Sequence, residues 1–140
     1  MKIRITLLST MLAILLLATS CIITSQDINV DISCDQFSEN NQVRNDFQVE
    51  VGDKIRARLC SNPTTGFKWE YEMSNENVLA EEDYDFEEPE DKSLVGAAGK
   101  EVWTFEAVNK GTTEIRLEYS RPWEGGEKAE WTYTMNVTVE

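Results

Sequence analysis

Eight of the eleven residues from Glu81 to Asp91 are carboxylates, arranged around Tyr84, Phe86 and Pro89. Clustered carboxylate oxygens suit a hard cation such as calcium, and paired carboxylates can hydrolyse glycosidic bonds. The stretch lacks the glycine-punctuated spacing of an EF-hand loop and reads as a solvated, mobile connection. With 26 acidic residues in 140, chance carboxylate pairs are plentiful, so they lend a hydrolase little support. The chain has no histidine, which removes Ser-His and Cys-His nucleophilic pairs and histidine metal sites. Its cysteines, Cys21, Cys34 and Cys60, form no CxxC pair for redox work, and no glycine-rich phosphate cradle is present. No catalytic residue, metal ligand or cofactor is assigned. An enzyme is the poor reading.

Three other segments concentrate residues of a different kind: Asn62-Pro63-Thr64-Thr65-Gly66-Phe67, Leu94-Val95-Gly96-Ala97-Ala98-Gly99, and Arg121-Pro122-Trp123-Glu124-Gly125-Gly126. Pro63 fixes its own φ and Gly66 admits a positive one, so the first turn is stiff before it meets anything. Its threonines are small and carry no charge to desolvate. Trp123, in a loop rich in Pro and Gly, is a poor core candidate, and Trp and Arg are the residue types of interface hot spots. Arg121 either meets a partner or pairs with a nearby carboxylate such as Glu124. Taken singly, each proline and glycine also fits an ordinary turn.

The elements that must hold these segments alternate with a period of two. Ile28, Val30, Ile32 and Cys34 do so, as do Phe47, Val49 and Val51, and then Ile55, Ala57 and Leu59. The pattern returns at Phe67, Trp69, Tyr71 and Met73, at Trp103, Phe105 and Ala107, and at Ile115, Leu117 and Tyr119. It is clearest at Trp131, Tyr133, Met135, Val137 and Val139. Each run predicts a strand with one buried and one wet face, with Trp69, Trp103 and Trp131 pointing inward. No segment after residue 20 shows a sustained helical period. About seven strands with turn signals between them predict an all-β, immunoglobulin-like antiparallel β-sandwich. In such a frame the three segments are the BC, DE and FG loops, which emerge at one end.

The chain begins as an export signal does. Lys2 and Arg4 precede an apolar stretch, Ile5 to Ala18, that is short for a membrane span. Leu17-Ala18-Thr19-Ser20-Cys21 resembles a lipobox, in which Cys21 carries lipid and becomes the mature N-terminus; ordinary cleavage after Ser20, or an uncleaved signal anchor, are the alternatives. Losing residues 1–20 leaves 11 basic against 26 acidic residues, a net charge of −15. Such a charge repels phosphate backbones and anionic headgroups, so neither nucleic acid nor membrane is expected as a partner, a lipid anchor aside. Cys34 and Cys60 then make an even pair in an oxidising compartment. A bridge would close a loop of about 27 residues, worth roughly 3–4 kcal/mol. Cys34 falls on an inward phase and Cys60 on an outward one, so bridged and free thiols both stay open.

The Asn-Pro-Thr-Thr-Gly-Phe hexapeptide, the Gly-rich segment after it and the Arg-Pro-Trp beyond, in that order and spacing, resemble the chagasin-like inhibitors of papain-like cysteine proteases. The likeness runs from Phe47 to Val139. Together with the export signal, it divides the chain into residues 1–20 as signal, 21–46 as lipidated Cys, short tether and first strand, and 47–140 as the inhibitor domain. It further implies a reversible, cofactor-free inhibitor; a monomer is expected, and the N-terminal signal makes it secreted, periplasmic or a cell-surface lipoprotein. Asn62, Pro63, Thr64, Thr65, Gly66 and Phe67 would wedge the catalytic cleft. Gly96, Ala97, Ala98 and Gly99 would line one side, and Arg121, Pro122 and Trp123 would clamp the other. Where the family often has glycine in the middle loop, this chain carries the Ala98 methyl. The rival is a non-inhibitory surface adhesion or envelope assembly module on the same frame, since sandwiches host many functions.

Overall fold

The computed structural model describes residues 24–89, 91, 93 and 95–140. The segment read as an export signal, and Cys21, lie outside them. Eight strands follow in order: β1 (Asp27–Ile32), β2 (Gln42–Val49), β3 (Lys54–Ser61), β4 (Lys68–Met73), β5 (Leu79–Glu87), β6 (Gly99–Ala107), β7 (Gly111–Ser120) and β8 (Trp131–Val139). They form two four-stranded sheets, β1-β3-β6-β5 and β2-β8-β7-β4. The alternating runs bury their apolar phases between them: Ile55, Ala57 and Leu59 of β3, Phe105 of β6, Ile115 and Leu117 of β7, and Tyr133, Met135 and Val137 of β8. Trp69 is buried with them, whereas Trp103 and Trp131 are only half-buried against this core.

Four strand pairings are antiparallel, and two, β1 with β3 and β2 with β8, are parallel. The parallel pairs arise because the chain leaves β1 on one sheet and crosses to β2 on the other instead of turning back. The crossing contains α1 (Cys34–Glu39), a helix that the sequence pattern did not predict. Ser33 caps it: its Oγ accepts from the Gln36 amide, and its own amide donates to the Gln36 side chain. Six residues are too few for a 3.6 period to register, and only the cap carries the signal. The helix brings Cys34 off the strand phase and within disulfide reach of Cys60, and the two are bridged with Cα atoms 5.1 Å apart.

The acidic stretch is the second departure. Residues 79–87 form β5 rather than a mobile connection, paired along β6 with a bulge between Glu81 and Asp83. Both faces of this edge strand are largely wet, so it shows no alternation, and charge on an edge discourages pairing with other chains. Its carboxylates are also used: Glu82 meets Lys54, and Glu87 meets Arg56 and Arg58 on β3.

Candidate functional site

Asn62 is the centre of the end where the three loops meet. Its side-chain oxygen accepts from the Thr64 amide at 3.2 Å and the Thr64 hydroxyl at 2.6 Å. Pro63 then opens a single 3-10 turn, Pro63–Thr65, which Gly66 closes in the left-handed region at φ 79°. The Asn62 side-chain nitrogen reaches out of the loop and donates to the Gly96 carbonyl at 2.8 Å. That bond joins the first segment to the second.

The third segment joins from the other side. Arg121 Nε donates to the Thr65 carbonyl at 3.3 Å, and its guanidinium lies 4.4 Å over the Phe67 ring. Trp123 leans across Gly66 so closely that a Cβ there would sit 2.5 Å from its indole. The indole is still 52% exposed, which fits a contact surface and not a core position. Arg121 also faces a carboxylate, that of Glu127 at 3.5 Å and not that of Glu124.

An aromatic column supports this end. Phe37 of α1 stacks on Trp131, Trp131 on Tyr119 and Tyr119 on Phe67, with successive ring centroids 5.1, 4.9 and 5.1 Å apart. Arg121 caps the column. Tyr119 does more than stack, because its hydroxyl accepts the Asn62 amide at 2.8 Å. One buried side chain therefore holds the first loop by a hydrogen bond and the third through Phe67. Beside the column, the buried Glu101 carboxylate accepts from Ser61 Oγ at 2.6 Å, the Trp69 amide at 3.3 Å and Tyr84 at 3.1 Å. Those bonds tie β3, β4 and β5 to β6 at the root of the loops.

Of the residues read from the sequence, Asn62 to Gly66, Gly96, Arg121 and Trp123 come together at this end. Phe67 is partly buried, a support more than a tip. Gly99 departs from its expected place in the loop: it begins β6, is buried opposite Ser61, and faces the Glu87 carbonyl so closely that a Cβ would lie 2.3 Å from it. Ala98 is exposed and Ala97 half-buried, while Val95, not singled out before, projects fully into solvent. Tyr119 was read only as a strand residue, since its bond to Asn62 spans a separation that no local pattern reports. The exposed tips, Pro63 to Thr65 and Val95 to Ala98, carry no ionisable side chain. At the edge of the second loop, the Ser93 hydroxyl and amide hold the Asp91 carboxyl below its ordinary range. The arrangement presents a stiff ridge whose tips are uncharged, with an arginine and an indole beside it.

Comparison with known proteins agrees on the class. The model of the chagasin family, described as peptidase inhibitor I42, matches residues 48–137. Chagasin of Trypanosoma cruzi is 39% identical over 82 residues, 55% of this chain and 73% of its own length. Amoebiasin-2 of Entamoeba histolytica (strain ATCC 30459 / HM-1:IMSS / ABRM) is 31% identical over 91 residues, 65% of this chain and 74% of its own. Among solved structures, the cysteine protease inhibitor EhICP2 from Entamoeba histolytica superposes with a TM-score of 0.65 at 24% identity, over 84% of this chain and 100% of that one. PbICP-C, solved in complex with falcipain-2, gives 0.57 at 16% identity, over 83% of this chain and 100% of that one. At those identities the two structures establish the fold.

Proposed function

We propose, from the premise that this chain belongs to the chagasin family of peptidase inhibitors, that it blocks papain-like cysteine proteases by seating the three-loop ridge across the catalytic cleft. The chain acts as an inhibitor and not as an enzyme. The observation that carries the residue assignment is the joining of the three segments, by Asn62 to Gly96 and by Arg121 and Trp123 to the Thr65–Gly66 turn.

Thr64 and Thr65 form the leading edge. Each hydroxyl is already engaged within the loop, Thr64 on Asn62 Oδ1 and Thr65 on the Asn62 carbonyl at 2.6 Å. Little rotamer freedom is left to lose on docking, and no charge has to be stripped of water in a narrow cleft. Val95 to Ala98 lie to one side, where small residues let backbone meet backbone. Arg121, Pro122 and Trp123 lie to the other, where an exposed indole and guanidinium supply the hot-spot contacts. A protease cysteine beneath the turn is covered without being offered an extended peptide to cut. The interface expected for such an inhibitor buries about 1,600 Å² in total. The Cys34–Cys60 bridge and the apolar run before Cys21 support an exported protein, with Cys21 as the lipid attachment point.

The test is titration of the purified chain against a small panel of papain-like enzymes, with a serine protease as control. Stoichiometric inhibition of the thiol enzymes, with the inhibitor recovered uncut, is the expected result. Thr65→Trp should raise the inhibition constant at least about 100-fold, because the added ring has no room in the cleft. Full potency in that variant would remove Thr65 from the wedge.

A further inference from the structure

The loop between β7 and β8 holds Arg121 and Trp123 by means of a residue that bonds to their backbone. Lys128 Nζ donates to the carbonyls of Arg121 at 2.6 Å and Trp123 at 3.2 Å. Several features aim those carbonyls at one point. The Gly126 amide donates to the Trp123 carbonyl at 3.0 Å, and the Arg121 amide donates across the loop to Glu127 at 2.8 Å. Gly126 lies so close that a Cβ would sit 2.6 Å from the Arg121 oxygen and 3.0 Å from that of Trp123, so only a residue without a side chain leaves those two carbonyls where they are. Ala129 turns the chain directly after Lys128, at φ 49° in the left-handed region that residues with a Cβ avoid. Its amide is held there by Ser120 Oγ at 2.8 Å.

We infer that Lys128 is a positioning residue for the protease-contacting arm, its ammonium fixing the path of Arg121 to Trp123 before any enzyme arrives. This rests on the proposed inhibitory role of the arm. Two carbonyl oxygens turned toward one point repel each other unless a donor stands between them, and an ammonium supplies charge-assisted bonds to both. Without it the carbonyls separate, the arm samples other paths, and docking has to order it again.

The full chain is compared with Lys128→Met, which keeps the aliphatic stem and loses the donors, and Lys128→Arg, which restores charge and donors. Two readouts are taken: the inhibition constant with its off-rate, and acrylamide quenching of the Trp123 emission, identified as the part lost in Trp123→Phe. Lys128→Met should dissociate about tenfold faster and show a more quenchable Trp123, with the thermal melt little changed and both readouts recovered in Lys128→Arg. Wild-type off-rate and quenching in Lys128→Met would overturn the inference while leaving the inhibitor reading intact. If the unaltered chain inhibits no thiol protease, the inhibitor reading fails instead, and quenching alone decides whether Lys128 positions the arm.

Discussion

Gly66 and Trp123 constrain each other. The indole occupies the space that any side chain at position 66 would need, and the backbone there sits at φ 79°. Gly66→Ala therefore meets two penalties: a left-handed residue with a Cβ, costing about 1–2 kcal/mol, and displacement of the indole. Chemical denaturation should show a loss of about that size, while inhibition of papain weakens by about tenfold or more as Trp123 leaves its rest. Unchanged inhibition in the presence of the stability loss would mean that the resting place of Trp123 has no bearing on binding. At this scale the loop tips were legible because their chemistry is local: a proline, a glycine, two threonines. Tyr119 and Lys128 were not, since what they do depends on carbonyls and amides brought near by the fold.

Helix α1 and strand β5 are where pattern reading ran out, for opposite reasons. The strands β3, β7 and β8 each turn alternate apolar residues into the core, so period two is written plainly in their residues. In β5 almost every side chain is wet, and acidic composition hides an ordinary ladder. Helix α1 buries a single large residue, Phe37, at 0% exposure. Phe37 packs on Trp69 and Trp131 at the foot of the aromatic column. Phe37→Ala should cost about 3–5 kcal/mol by cavity formation and also loosen the loops, so denaturation midpoint and inhibition should fall together. A midpoint within experimental error of the parent would show that the helix does not close the sandwich. The open edges between β4 and β5 offer a pH test. Burial, reinforced by Glu81 and Glu101 respectively, pushes the phenols of Tyr71 and Tyr84 up to about 12. Both ionise near 10 when unfolded, so the folded state keeps its protons longer. Their stabilisation is whole below about pH 10 and is lost as pH rises toward about 12. Melting temperature should decline across that window, and less steeply in Tyr71→Phe; an identical slope would place the cause elsewhere.

Much of the paired charge of the molecule lies on one sheet, away from the Pro63–Thr65 tip. Among the described residues, Lys54, Arg56, Arg58 and Lys100 spread over the outer face of one sheet and meet Asp31, Glu82 and Glu87 there, pairs that add little each to stability. The Pro63–Thr65 tip itself carries no charge, and Arg121 is the charged member of the proposed contact surface. That the three loops share one end followed from the immunoglobulin-like frame and not from the strands read, since β5 was missing from them; that strands from the two ends of the domain pair side by side was not legible, because alternation says nothing about neighbours. The parallel pair of β2 and β8 sets Gln42 opposite Thr132 and Val49 opposite Val139. On a ribosome, β2 is thus complete long before its companion exists, and such distant pairing is slow to form. Until β8 has emerged, the Pro63–Gly66 stretch is expected to behave as an ordinary exposed peptide. A chain ending at Glu130 should accordingly be cut by papain where the intact one survives, which digestion followed by mass spectrometry would reveal; survival of the shortened form would refute it. Pairing of β8 with β2 would then be the step that turns prey into obstacle.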